Sequence, residues 1–216
     1  LSWEDMTTEG IDIVMSLDIS PSMLAKDLKP DRLEASKNVA KNFISGRPND
    51  RIGLVIFSGE SFTQCPLTTD HQVLQNLFAN VKSGMVKTGT AIGMGLATAV
   101  NRLKESGAKS KVIILLTDGV NNVGSVAPLT AASIAQKFGI RVYTIGVGTK
   151  GFVKVPEKTP FGTIFRDVEV QIDEETLQNI ASVTNGQYFR ANSNKALESI
   201  YREIDQLERS KIEVKE

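Results

Sequence analysis

Ile11-Asp12-Ile13-Val14-Met15-Ser16-Leu17 runs directly into Asp18-Ile19-Ser20-Pro21-Ser22, and the reading of that junction decides the fold. Its first half is an apolar run of strand length, and its second half is a turn of short oxygen-bearing side chains. Three further apolar runs of the same kind follow at Ile52 to Phe57, Val112 to Leu116 and Arg141 to Ile145, with a weaker one at Gln187 to Arg190. Phe62 to Leu67, reached by a turn at Gly59, reads as an antiparallel edge strand. Between these runs lie helical faces. Leu33, Ala40, Phe43 and Ile44 form one, ended by Gly46, and Ile92, Leu96, Val100 and Leu103 form another before Gly107. Val73, Leu74, Leu77, Phe78 and Val81 give a third, while Ile134, Ala135 and Phe138 give a fourth, stopped by Gly139. Asp173, between Ile172 and Leu177, has the form of an N-cap inside a hydrophobic staple. A last helix carries Leu197, Ile200, Tyr201, Ile204 and Leu207.

Strands alternating with helices predict an α/β fold: a doubly wound, mainly parallel central sheet with one antiparallel edge strand and helices on both faces. Residues 9–208 read as one domain, within which 151–167 breaks the alternation and is expected to protrude as a hairpin or loop. Residues 1–8 form an irregular leading segment containing Trp3, and 209–216 form a charged tail.

In such folds the loops beyond the carboxyl ends of the strands hold the site. Three short segments fall there: Asp18 to Ser22, Thr90 ahead of a helix, and Asp118 after the strand that ends in Leu116. Asp18, Ser20, Ser22, Thr90 and Asp118 offer two carboxylates and three hydroxyls, with neither thiol nor imidazole. That donor set suits a hard divalent cation, Mg²⁺ first, with Mn²⁺ and Ca²⁺ as alternatives. Each residue also has a plainer reading. Asp and Ser are ordinary turn residues, Thr90 would cap a helix, and Asp118-Gly119 would make a turn; it is their combination that favours a site.

The set Asp-x-Ser-x-Ser at 18–22, followed by Thr90 in Lys87-Thr88-Gly89-Thr90-Ala91-Ile92-Gly93 and by Asp118 in Leu116-Thr117-Asp118-Gly119, resembles the metal-ion-dependent adhesion site (MIDAS) of von Willebrand factor A domains. The resemblance runs from Glu9 to Glu208. Asn49-Asp50-Arg51-Ile52-Gly53, Phe62-Thr63-Gln64-Cys65-Pro66-Leu67-Thr68 and Asp118-Gly119-Val120-Asn121-Asn122 narrow it to the BatA-type proteins of bacterial aerotolerance operons. What the resemblance implies is a non-enzymatic adhesion-type module. Ser20, Ser22 and Thr90 would ligate the cation directly and Asp18 and Asp118 through water, and a partner's Asp or Glu would complete its shell. It also implies flanking transmembrane helices absent from this chain, anchorage in the bacterial cytoplasmic membrane and a periplasmic domain. The implied partners are other A-domain proteins of the same operon, with a functional link to a MoxR-type AAA+ ATPase.

Composition adds constraints. The 216 residues suffice for one sizeable core, and 25 Lys plus Arg balance 25 Asp plus Glu, so bulk charge does not point to nucleic acid. No apolar stretch reaches the roughly 18 to 20 residues of a membrane span, and the opening Leu1 and the charged run from Arg209 suggest an excised segment. A single Cys excludes an internal disulfide. The lone His71 and Cys65 read as a first-turn helix residue and a buried strand residue. Gly146-Val147-Gly148-Thr149-Lys150-Gly151 matches a dinucleotide fingerprint but lacks a following helix for the phosphate. Asp27 and Glu60 read as surface charges near the site. Two rival functions remain at this level: a Mg²⁺-dependent phosphatase of haloacid-dehalogenase type, which would use Asp18 as nucleophile but lacks a second Asp at position 20, and a scaffold whose metal site is vestigial.

Overall fold

A computed structural model of the chain describes residues 10–213; the leading segment 1–8, Trp3 included, lies outside the described residues, as do 214–216. Strands β1 (Asp12–Asp18), β2 (Arg51–Phe57), β3 (Ser61–Thr68), β4 (Lys111–Thr117), β5 (Ile140–Val147) and β8 (Tyr188–Ala191) form one sheet in the order β3-β2-β1-β4-β5-β8. All neighbours are parallel except β2 and β3, so β3 is the antiparallel edge. The remaining strands, β6 (Gly151–Thr159) and β7 (Gly162–Val170), pair only with each other as an antiparallel hairpin. The doubly wound α/β architecture read from the sequence is the architecture observed.

Both faces of the sheet are covered, and the side-chain period of two sorts the strand residues between them. Ile13, Met15 and Leu17 of β1, with Val112, Ile114 and Leu116 of β4, face α1 (Arg32–Ser45), α2 (His71–Ala79) and α6 (Asn194–Glu213). Val14, Ile113 and Leu115 face α3 (Ile92–Leu103), α4 (Pro128–Lys137) and α5 (Glu174–Val183). Asp31, Asp70 and Asp173 cap α1, α2 and α5, each accepting from a backbone N–H three residues on.

Two helix faces differ from the reading. On α4 the buried residues are Ala131, Ala132 and Ala135, while Ile134 and Phe138 are 39% and 42% exposed. The backbones approach too closely for larger side chains: a Cβ on Gly93 of α3 would lie 1.9 Å from the carbonyl oxygen of Val126. A stripe of small residues therefore faces the core and the bulky ones turn outward. Val73 of α2 is likewise exposed, leaving Leu74 and Phe78 to fill the core. At the carboxyl end, α6 continues through Glu213, so 209–213 extend the last helix. The hairpin protrudes, burying Val153 and Val155 against Ala25 while Phe161 at its turn is fully exposed.

At the edge where β1 and β5 begin, α6 is fixed by a buried carboxylate. Glu208 accepts from Arg141 Nε at 2.9 Å, from the Tyr143 hydroxyl and from Ser110 Oγ. Burial alone would raise its pKa, but the bonds from Arg141 and Tyr143 and the charge of Arg141 outweigh burial and hold it below the usual range. The folded carboxylate thus binds its proton less tightly than the unfolded one. Its contribution is whole above about pH 4.3 and is lost as pH falls through the lower folded value. Glu208→Gln should cost of order 3 kcal/mol near neutral pH and show a shallower decline of melting temperature with acid than the parent, measured by calorimetry across pH 7 to 3.

Candidate metal centre

Strand order places the site. From β1 the chain winds outward to β2 and β3, then returns to β4 on the other side of β1, so the β1–β4 gap is the topological switch point where such sheets open a crevice. Leu17 pairs with Leu116, which brings Asp18 beside Thr117 and the two following loops together. Ser20 and Pro21 then open a 3₁₀ turn, Pro21–Leu24. Thr90 arrives from the β2 side. Its loop is held there by hydrogen bonds from Gly59 N to the Lys87 carbonyl (2.6 Å), Ser58 Oγ to the Gly89 carbonyl (2.9 Å) and Ala91 N to the Ser58 carbonyl (2.7 Å). Ala91, with no side-chain bond, occupies the N-cap of α3, so the Thr90 hydroxyl is not spent on capping.

The five residues converge. The Asp18 carboxylate accepts from Ser20 N at 2.8 Å and from the Thr117 hydroxyl at 2.6 Å. Ser20 and Ser22 hydroxyls lie 3.1 Å apart, and Ser22 donates to Asp118 Oδ1 at 2.8 Å. Thr90 packs on the loop after β4, close enough that a Cβ on Gly119 would be 3.3 Å from Thr90 Oγ1. Asn121 and Asn122 lace the same two loops, accepting from Gly93 N at 3.2 Å and Thr90 N at 2.9 Å. Asp18, Ser20, Thr90 and Asp118 are buried, and Ser22 is partly open.

Behind Asp118 stands a group that the sequence reading missed. Arg32, wholly buried, donates from Nη1 to Asp118 Oδ2 at 2.7 Å and from Nε and Nη2 to the two oxygens of Asp27 at 2.7 and 2.6 Å. A signal was present: Arg32 is the first residue of α1, where the helix dipole disfavours a cation, and such a placement needs a local anion to explain it. Asp27, read as a surface charge, is instead ion-paired and also accepts from Thr149 N and Oγ1. Burial would raise its pKa, but the bonds from Arg32 and Thr149 bring it down to about 2. Gly148 covers the guanidinium; its φ is +117°, and a Cβ there would lie 2.5 Å from Arg32 Cζ. The Gly146 to Gly151 string thus serves a close approach to Arg32, and β6 rather than a helix follows it. His71 lies at the opposite edge with Nε2 2.9 Å from the Asp50 carbonyl oxygen, Cys65 is buried in β3, and Glu60 is exposed.

The charges do not balance locally. Asp27 and Asp118 share one guanidinium, and no ion pair is formed by the neighbouring Asp18 among the described residues. Burial, followed by the charge of Asp118, pushes the Asp18 pKa up to about 7. Burial also raises that of Asp118, against the pull of Arg32. Fully ionised, the cluster carries an excess of two negative charges, which a divalent cation would offset. No three His, Cys, Asp or Glu side chains among the described residues are grouped to hold a metal, so a cation here would rely on hydroxyls. The residues present fit that requirement.

Comparison with known proteins agrees with this geometry. A family model, the von Willebrand factor type A domain, matches residues 12–203. The chain belongs to that family. A curated relative of this von Willebrand factor type A domain, an uncharacterized protein of Borreliella burgdorferi, is 34% identical over 187 residues, 86% of this chain and 55% of the relative, so the chain spans a little over half that relative's length. Among solved structures, BatB of Bacteroides thetaiotaomicron is 31% identical with a TM-score of 0.79, covering 93% of this chain and 100% of its own. An aerotolerance-related membrane protein of Bacteroides fragilis is 30% identical with a TM-score of 0.78, covering 91% and 98%. Proximal thread matrix protein 1 of the mussel byssus, solved with a zinc-occupied MIDAS motif, is 25% identical with a TM-score of 0.71, covering 92% of this chain and 45% of its own. The likeness within the family is to Bat-type proteins.

Gly148→Ala should displace the guanidinium and strain the backbone together. The expected loss is about 2 kcal/mol or more, measured as a lowered urea midpoint with an unchanged slope.

Proposed function

We propose that this domain is a metal-ion-dependent protein-interaction module of a membrane-anchored Bat-type protein. The observation that carries the reading is the convergence of Asp18, Ser20, Ser22, Thr90 and Asp118 at the β1–β4 switch point with two negative charges in excess. Ser20, Ser22 and Thr90 would hold Mg²⁺ through their hydroxyls, with Asp18 and Asp118 acting through bound water. Neutral hydroxyls leave most of a dication's charge exposed on the outer side, so the bound ion would accept one more oxygen from outside. A partner's Asp or Glu supplies it. The zinc-occupied MIDAS of the mussel protein supports a divalent cation in such a motif.

The likeness to an aerotolerance-related membrane protein supports anchorage at a membrane; no helix among the described residues is long and apolar enough to cross one. Gly10, leading into β1, lies at the edge of the sheet opposite the metal site. An anchor there would present the site away from the membrane, and the likeness to Bat-type proteins favours the periplasmic side. The likeness to Bat-type proteins supports other A-domain proteins of the same operon as partners, with a functional link to a MoxR-type ATPase.

A phosphatase reading is disfavoured by the surroundings of Asp18: its carboxylate is fully buried and both its oxygens are engaged, one by a backbone N–H and the other by Thr117. Titration calorimetry of Mg²⁺ and Mn²⁺ into metal-free protein should give saturable one-site binding, abolished in Asp18→Ala. Thr90→Ala should weaken it about tenfold while leaving the melting temperature of the metal-free protein nearly unchanged. Turnover of p-nitrophenyl phosphate that disappears in Asp18→Asn would overturn the reading.

A further inference from the structure

We infer that Asp27, which lies outside the five-residue motif, sets the charge of the metal site by holding the Arg32 guanidinium as a shared counter-ion. The inference rests on the metal-binding reading above. Both oxygens of Asp27 are fully committed. Oδ1 accepts from Leu28 N at 3.1 Å and Arg32 Nε at 2.7 Å, and Oδ2 accepts from Arg32 Nη2 at 2.6 Å and from Thr149 N and Oγ1 at 2.8 and 3.0 Å. The guanidinium therefore turns a two-pronged face to Asp27 and a single N–H to Asp118. Its side chain is wholly buried and that of Asp27 is 10% exposed, so water screens neither strongly.

The consequence is a division of charge. Asp27 neutralises Arg32, so that a cation held by Ser20, Ser22 and Thr90 meets Asp18 and Asp118 with their full double charge. Without Asp27 the guanidinium becomes an uncompensated positive charge one hydrogen bond from Asp118, and it repels any cation bound there. Asp27 does this without touching the metal. It acts as a positioning and charge-setting residue, and the root of the β6–β7 hairpin, through Thr149, belongs to the same device.

The test is calorimetric titration at pH 8 of Mn²⁺ and, separately, Tb³⁺ into the parent chain, Asp27→Asn, and the double variant Asp27→Asn/Arg32→Gln, each with its melting temperature. An electrostatic effect scales with ion charge. A loss of about tenfold for Mn²⁺ in Asp27→Asn should accompany about thirtyfold for Tb³⁺. The double variant, which removes both charges and restores the excess of two, should bind Mn²⁺ within about threefold of the parent. If Asp27→Asn lowers the melting temperature but leaves the Mn²⁺ affinity unchanged, Asp27 is merely structural and the inference fails. Equal losses for the two ions, or a double variant as weak as the single one, also overturn it. Should Asp27→Asn not fold, the double variant alone decides: affinity within threefold of the parent supports the inference, and a tenfold loss contradicts it. A parent chain that binds neither ion defeats the metal reading itself, a different outcome from any of these.

Discussion

A buried guanidinium between two carboxylates organises the upper edge of this sheet. Arg32 ties the start of α1 to the loop after β4 through Asp118 and to the loop after β5 through Asp27 and Thr149. Removing a charge of this kind from water is costly unless its partners are close and well aligned, so loops that would otherwise wander are held where those partners must be. Gly148 lies directly on the guanidinium because only a residue without a side chain can do so at that backbone angle. The constraint ties the loops of the top edge to one another, while the hairpin beyond it remains exposed.

The same constraint leaves one carboxylate without a cationic partner. Asp18 is held by hydrogen bonds alone, at the end of the central strand and beneath the Ser20 to Ser22 turn. Burying an ionised carboxylate without compensation is unfavourable enough that its pKa rises, which makes the site a place of stored electrostatic demand. A divalent cation would meet that demand beside the paired Ser20 and Ser22 hydroxyls, with Thr90 packed on the loop that follows β4. The lacing of Asn121 and Asn122 to the Thr90 loop makes the third hydroxyl part of the same framework, so movement of one loop would be felt by the other.

Much of the fold was legible because strands buried on both faces must be largely apolar: Val112 to Leu116 is apolar throughout, and Ile11 to Leu17 is broken only by Asp12 and Ser16. The motif residues were legible because short oxygen-bearing side chains cluster where those strands end. Helix faces were less so: Ile134 and Phe138 follow the helical period yet point outward, since close backbone approach at Gly93 selects Ala131 and Ala135 for the inner face. Arg32 was missed, and Asp27 was read as a surface charge near the site, because their roles depend on residues 86 and 122 positions away, Asp118 and Thr149, and no local pattern carries that pairing. A cation at the first position of a helix was the one hint available.

The most direct test of the central claim is anomalous diffraction from crystals of the chain grown with Mn²⁺. The account predicts a single strong peak at the β1–β4 edge, within about 2.0 to 2.3 Å of the Ser20 and Ser22 hydroxyl oxygens. A peak elsewhere, or none at a Mn²⁺ concentration well above millimolar, would contradict it.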